Sequence, residues 1–112
     1  MISQRDLAAG FSALGDETRL AIMQRLLRGE RLSITRISTG AGISRQAVTK
    51  HLRVLEEAAL VQSEARGRER LYALRRDRVA ELQEYLETVT RQWEDALGRL
   101  RAHLEDGEKG AR

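Results

Sequence analysis

The sequence predicts a mainly α fold that carries one small β-hairpin and ends in a long C-terminal helix. Three observations predict it. Apolar residues recur at helical spacing in four runs between residues 3 and 55. Two short half-apolar runs flank a basic, Gly-containing turn within residues 60–74. From 77 to 105, an apolar residue recurs every three or four positions. With 112 residues, the chain is expected to form one domain, residues 1–112.

Two helices are predicted before residue 30. Residues 3–14 form the first, and the second runs from 17 to 27 after Asp16, whose carboxylate can cap it. Gly29 follows as a C-terminal stop. The second helix is expected to bury Leu20, Met23 and Leu27, with Ile22 and Leu26 widening the apolar stripe and Arg19, Gln24 and Arg25 outside. The first helix is expected to bury Leu7, Ala8, Phe11 and Leu14.

Residues 33–58 have the pattern of a helix-turn-helix. Ser33 is placed to cap a short helix that reaches about Thr39. The turn is Gly40-Ala41-Gly42, and Ser44 is placed to cap the next helix, which covers residues 43–55. Two helices joined by a short Gly-containing turn are typical of this motif, although unrelated helical hairpins share it.

The second helix of this motif has an outward stripe without acidic residues. At about 100° per residue, Gln46, Thr49, Lys50 and Arg53 lie on one side. Val48, Leu52 and Leu55 lie on the opposite, apolar side. The major groove of DNA accepts a helix of this kind. The alternative is a solvated surface helix.

Residues 60–74 predict the hairpin. The two strands, 60–64 and 69–74, flank a turn that carries Arg66, Gly67 and Arg68, and Gly67 can adopt a positive φ. Leu71 is expected in the core. A hairpin with a basic tip directly after a recognition-type helix indicates a wing that reaches phosphates or the minor groove. The alternative is a solvated charged turn.

Basic residues concentrate in the middle of the chain. Residues 31–75 hold nine basic and four acidic side chains, a net charge of +5, whereas residues 1–30 are neutral and residues 76–112 carry −2. A basic segment between neutral and acidic flanks favours a polyanion-binding surface.

The C-terminal helix is predicted over residues 77–105, capped by Asp77 and ending near Gly107. It would be about 44 Å long. A domain this small can cover only part of its apolar stripe, so the rest favours a second copy of the chain. The alternative is a helix that folds back on its own domain. The stripe comprises Val79, Leu82, Leu86, Val89, Trp93, Ala96 or Leu97, Leu100 and Leu104. The predicted dimer interface consists of Leu82, Leu86, Val89, Trp93, Leu97 and Leu100.

Composition excludes several functional classes. The sequence has no cysteine, which excludes disulfides and thiolate metal sites. No apolar run approaches the ~20 residues of a membrane span, and the N-terminus lacks the apolar core of a signal peptide, so a cytoplasmic protein is expected. No nucleophile–base pair or phosphate-binding Gly loop is evident. We therefore expect neither enzymatic activity nor a cofactor or metal.

Three segments resemble the ArsR/SmtB family of bacterial winged-helix repressors. FSALGDETRL at residues 11–20 is similar to the opening signature of the family. ISRQAVTKHLRVLEEAALV at residues 43–61 is similar to its recognition helix and the entry to its wing, and RGRERLY at residues 66–72 resembles the wing. The resemblance covers residues 5–75 and implies a winged helix-turn-helix homodimer that binds an imperfect inverted repeat in a promoter and represses it.

The sequence departs from the metal-sensing members of that family. Those members carry a Cys-x-Cys pair where this chain has Ser33 and Thr35, and neither residue is a useful soft-metal ligand. The second sensing site of the family uses Asp and His on the terminal helix, where this chain has only His103. The chain therefore resembles the metal-independent members. Its sequence does not identify a small-molecule effector.

A role in binding double-stranded DNA is predicted for nine side chains. Gln46 is expected to pair with adenine, Thr49 to contact a thymine methyl or a phosphate, and Arg45 to read guanine or hold a phosphate. For His51, packing, a backbone contact and DNA binding all remain open. Phosphate contacts are expected from Ser44, Lys50, Arg53, Arg66 and Arg68. A rival hypothesis is a protein-interaction module that acts through its C-terminal helix.

Overall fold

The computed structural model describes residues 2–110, and side chains for residues 2–107. The described residues form five α-helices and three strands, and the chain divides into two compact units, one up to Leu82 and one from Gln83 onward. In chain order the elements are α1 (Gln4–Leu14), α2 (Glu17–Leu26), β1 (Leu32–Ser33), α3 (Ile34–Ala41), α4 (Arg45–Glu57), β2 (Val61–Arg66), β3 (Glu69–Leu74) and α5 (Arg76–Gly110). The predicted fold class, a mainly helical winged helix-turn-helix with a long C-terminal helix, is confirmed.

Three predicted helix caps are confirmed. The Asp16 carboxylate accepts a hydrogen bond from the Arg19 amide at 2.9 Å and begins α2. Ser33 begins α3 and Ser44 begins α4, each with its hydroxyl accepting from an amide in the first turn. Each cap satisfies a backbone donor that has no partner within the helix, which fixes where the helix starts.

The core of the first unit uses only part of the apolar stripe predicted for α2. Ile22, Met23 and Leu26 are buried, whereas Leu20 and Leu27 are 43% and 58% exposed. The predicted burial is confirmed for Ile22, Met23 and Leu26 and wrong for Leu20 and Leu27. The apolar stripe of α2 is wider than the face that the core covers, and periodicity does not show which edge of it stays exposed. In α1, Ala8 is likewise exposed, and Gly10 and Ala13 are the buried residues.

The sheet has three antiparallel strands in the order β1-β3-β2, one more than the predicted hairpin. β1 pairs Leu32 with Tyr72 and Ser33 with Leu71. Two residues are too short for a period-two pattern, so the sequence gives no signal for this strand. Leu71 is only partly buried, whereas Tyr72 is 6% exposed, because successive side chains point to opposite faces of the strand.

The bounds of α5 differ from the predicted 77–105. Asp77 lies in the first turn instead of at the cap, and its carboxylate pairs with the Arg75 guanidinium at 2.7 Å. Gly107 lies within the helix, which continues to Gly110, because one glycine weakens a helix by only about 1 kcal/mol. Leu82, predicted in the dimer interface, is 4% exposed and belongs to the core of the first unit.

The second unit is a helical segment with an uncovered apolar stripe. The stripe begins at Leu86, and its side chains are between 41% and 66% exposed. Their spacing keeps them on one side of the helix. The stripe consists of Leu86, Val89, Trp93, Leu97, Leu100 and Leu104.

Candidate nucleic-acid interface

The turn between α3 and α4 is held by backbone and hydroxyl hydrogen bonds. Gly42 ends α3 with a φ of +67°, a conformation that glycine adopts without steric cost, and its amide donates to the Ser38 carbonyl. The Ser38 hydroxyl donates to the Ile43 carbonyl on the far side of the turn. Ser44 then caps α4. These contacts fix the direction in which α4 leaves the turn.

The apolar side of α4 anchors the helix in the core. Val48, Leu52 and Leu55 are each at most 1% exposed, as predicted. The opposite side presents the predicted stripe, of which Gln46 and Lys50 are exposed. Thr49 is partly buried, and its hydroxyl donates to the Arg45 carbonyl at 2.8 Å. The exposed side chains of this face are Ser44, Arg45, Gln46, Lys50 and Arg53.

Five basic side chains of α4 and the hairpin have no ion-pair partner among the described residues. A cation without an intramolecular partner can bind a phosphate without first breaking a salt bridge. The five are Arg45, Lys50 and Arg53 on α4, and Arg66 and Arg68 on the hairpin.

Acidic residues mark the other end of α4. Glu56 and Glu57 line a shallow surface depression with Thr49, Arg53 and Tyr72. Burial of the Tyr72 phenol raises its pKa, and the nearby Glu56 carboxylate raises it further. Because carboxylates repel phosphates, the C-terminal turn of α4 is unsuited to lie against a duplex. The charge pattern thus favours the part of the helix before Glu56 for DNA contact.

The wing tip is a two-residue loop of Gly67 and Arg68 between paired Arg66 and Glu69. Gly67 has a φ of +60°, as predicted, and hairpin loops of this length require a positive φ there. Arg66 and Arg68 are both exposed at the tip.

Two surface contacts link the strands of the sheet away from the tip. Arg70 donates from Nε to the Ser63 hydroxyl across the two long strands. Arg31, which precedes β1, pairs with Glu64 at 2.9 Å. These contacts restrain the strands below a tip whose own arginines stay exposed.

His51 faces the interior side of α4. Its Nδ1 lies 3.8 Å from the carboxylate of Asp16, the cap of α2, and only 24% of its side chain is exposed. Of the three roles left open for His51, the geometry supports packing against α2. This contact joins the start of α2 to the middle of α4.

Sequence analysis missed two arginines that hold the scaffold together. Arg19 donates from Nε to the Ala13 carbonyl at 2.7 Å, at the end of α1. Arg25 donates from Nη1 to two carbonyls of α3. The helical pattern placed both on the outside of α2, because periodicity does not show that a long polar side chain reaches a neighbouring helix end. The only available signal was the excess of carbonyls at helix C-termini that need donors.

Two kinds of feature are absent from the described residues. No group of three or more His, Cys, Asp or Glu side chains within them is arranged to hold a metal ion. No described helix combines the length and apolarity that a membrane crossing needs.

Comparison with known proteins gives consistent matches. Residues 14–64 match a family described as a helix-turn-helix domain. The chain is 38% identical over 74 residues to the HTH-type transcriptional regulator Rv2034 of Mycobacterium tuberculosis, covering 66% of this chain and 68% of that protein. It is 40% identical over 72 residues to a probable mercury resistance operon repressor of Streptomyces lividans, covering 64% of this chain and 57% of the repressor.

A solved structure extends the match in three dimensions. An ArsR-like transcriptional regulator from Rhodococcus sp. RHA1 superposes with a TM-score of 0.77 at 34% sequence identity. The match covers 86% of this chain and 90% of that one.

Proposed function

Because this chain belongs to the ArsR family of helix-turn-helix transcriptional regulators, we propose that it represses a promoter by binding an inverted-repeat operator as a homodimer. Its relatives are DNA-binding transcriptional regulators and not enzymes. We therefore propose three properties of this chain: its operator has two-fold symmetry, it binds as a homodimer, and it represses transcription.

The proposal rests mainly on the segment of α4 from Arg45 to Arg53. It is anchored by buried Val48 and Leu52 and presents polar and cationic groups without an acid. The Gln46 amide has a donor and an acceptor that can pair with the acceptor and the donor that adenine presents in the major groove. Lys50 and Arg53 follow this glutamine by one and two turns as phosphate contacts, and Arg45 is placed at the helix start for a guanine or a phosphate. The hairpin tip adds Arg66 and Arg68 for the adjacent backbone.

The exposed stripe of α5 supports the homodimer. Its six apolar side chains include Trp93, which is 66% exposed, and a contiguous apolar stripe of this kind is typical of a protein–protein interface. The spacing of three and four residues suits a second helix of the same sequence. The proposed interface therefore runs from Leu86 to Leu104 and leaves out Leu82.

We also propose that regulation by this chain does not depend on metal binding. The Ser33 hydroxyl accepts from the Arg36 amide as the cap of α3, and its side chain is buried. Thr35 offers only a hydroxyl. Mercury(II) prefers thiolates, and the sequence contains none. Mercury(II) should leave the affinity for operator DNA unchanged, and a several-fold loss of affinity would contradict this part of the proposal.

The proposal is tested by selecting binding sites from a random DNA library with the purified chain. The selected sequences should form an inverted repeat whose half-sites lie 10–10.5 base pairs apart, about one helical turn. Selection of a site without two-fold symmetry, or of none, would overturn the proposal.

A substitution in α4 then tests the assignment of the reading side chain. Gln46→Ala should relax base preference at one position of each half-site, at a cost of about 1–3 kcal/mol per half-site. Gln92→Ala, an exposed glutamine on α5, is the matched control and should select the wild-type sequence. Unchanged selectivity in Gln46→Ala would remove Gln46 from base reading.

A further inference from the structure

We infer that Thr49 is a specificity-determining residue that reads the C5-methyl group of one thymine in each operator half-site. The inference rests on the proposed DNA-binding function and narrows it. The sequence leaves two contacts open for Thr49, a thymine methyl or a phosphate, and the structure favours the methyl.

The hydroxyl of Thr49 is already committed inside the helix. Its Oγ1 donates to the Arg45 carbonyl at 2.8 Å. A threonine hydroxyl carries a single hydrogen, so this bond leaves none to donate to a phosphate oxygen. A phosphate oxygen accepts hydrogen bonds only, so Thr49 has no favourable polar contact to offer it while the internal bond persists.

The γ-methyl group is therefore what Thr49 offers to a ligand. It lies on the same stripe as Gln46, one turn before it, and Arg53, one turn after it. Both neighbours are long polar side chains suited to base edges and phosphates, and Thr49 places a small apolar group between them. In the major groove, the C5-methyl of thymine is the apolar group that distinguishes it from the other three bases.

The experiment uses the wild-type chain and the duplex that it selects from a random library. Each thymine of a half-site is replaced singly by deoxyuridine, which removes only the methyl group. At one position, the Kd should rise about fourfold, which corresponds to losing the burial of one methyl. The same replacement in both half-sites should raise the Kd about 16-fold.

Two conservative variants assign the effect to Thr49. Thr49→Val keeps the methyl and removes the hydroxyl, so it should retain the fourfold preference for thymine over deoxyuridine. Thr49→Ser keeps the hydroxyl and removes the methyl, so it should bind both duplexes equally. Thr88→Ser is the matched control, because the Thr88 hydroxyl makes the same bond to a carbonyl four residues earlier, at 3.0 Å, in α5. That variant should retain the wild-type preference.

The outcomes separate this inference from the proposed function. If the wild-type chain selects an inverted repeat but no half-site thymine is sensitive to deoxyuridine, or if Thr49→Ser keeps the preference, only the inference is overturned. If Thr49→Val loses the preference, the hydroxyl is the reading group and the inference is also wrong. If the chain selects no sequence, the proposed function fails and the inference fails with it.

Discussion

The guanidinium of Arg25 fills the space that a side chain at Gly40 would need. A Cβ at residue 40 would lie 2.6 Å from Nη1 of Arg25. That nitrogen donates to the carbonyls of Arg36 and Ile37, at 3.2 Å each. Arg25 thus joins α2 to α3, the first helix of the helix-turn-helix, and the absence of a side chain at Gly40 makes room for it.

Gly40→Ala is therefore expected to lower the free energy of unfolding by about 1 kcal/mol. The added methyl displaces the guanidinium from hydrogen bonds worth about 1.5–3 kcal/mol. The higher helix propensity of alanine offsets up to about 1 kcal/mol of this loss in stability. Urea denaturation at neutral pH measures the difference.

An Arg25→Met background is the control for this pair. With the guanidinium gone, Gly40→Ala has nothing to displace and should be neutral or stabilising. An equal effect of Gly40→Ala in both backgrounds would show that the two residues are not coupled.

Ala59 has a φ of +60°, a left-handed conformation that costs a residue with a Cβ about 1–2 kcal/mol. It follows α4 in a turn in which the Ala59 amide donates to Glu56 and the Leu60 amide to Leu55, an arrangement that favours glycine at this position. Ala59→Gly should raise the free energy of unfolding by about 0.5–1 kcal/mol, after the greater freedom of glycine in the unfolded chain is subtracted.

Ala58→Gly is the matched control for this substitution. Ala58 has an ordinary φ of −81°, so glycine there relieves no strain and should lower stability. Thermal unfolding of the two variants should move in opposite directions from the wild type. A decrease in Tm for both would refute the strain at Ala59.

Local signals in the sequence predicted the starts of α2, α3 and α4 and the positive φ of Gly67. Asp16 and Ser44 act through bonds within three residues of themselves, and Gly67 through its own φ, so a short window contains their cause. The strand β1 was not predictable from the sequence. Leu32 and Ser33 become a strand only by pairing with Tyr72 and Leu71, which lie about 40 residues away.

The limits of sequence reasoning at the site have the same origin. The outward stripe of α4 follows from helical period and was predicted residue by residue. The packing of His51 against Asp16 and the burial of Leu82 depend on where other helices lie. Apolar periodicity shows that a face is buried but does not identify what buries it.

Asp16 should make the stability of the chain sensitive to acid. The hydrogen bond from the Arg19 amide, with smaller contributions from the Arg19 and His51 charges, lowers the pKa of this carboxyl from 3.8. A lowered folded-state pKa stabilises the fold above the unfolded pKa, and this contribution is lost as the pH falls through the folded value. Its loss should therefore occur below about pH 4.

Asp16→Asn isolates this contribution, because asparagine also caps helices but does not titrate. When the pH is lowered from 7 to 3, the free energy of unfolding measured by urea denaturation should fall less for the variant than for the wild type. The difference between the two proteins should shrink as the pH falls below about 4. Parallel pH profiles for the two proteins would be inconsistent with a cap that depends on charge.

Leu100→Asp should prevent dimerisation without unfolding the first unit. Leu100 is 54% exposed in the isolated chain, so a charge is tolerated in the monomer but would be buried in the proposed dimer. Sedimentation velocity should show a monomer, and the operator Kd should rise about 100-fold or more because the two half-sites are no longer bound together.

Ala102→Asp is the matched control on the same turn of α5. Ala102 is also exposed, but it lies about 200° around the helix from Leu100, away from the stripe. This variant should remain dimeric and bind the operator normally. If Leu100→Asp stayed dimeric, or if Ala102→Asp became monomeric, the proposed interface would be misplaced.

The most direct test of the proposed function is the mass of the complex between the purified chain and its selected duplex, measured by sedimentation equilibrium at several salt concentrations. We predict two chains per duplex and an affinity that falls linearly on a log–log scale as salt rises, with several phosphates contacted. One chain per duplex, or an affinity independent of salt, would contradict a homodimer that holds DNA through the cations of α4 and the wing.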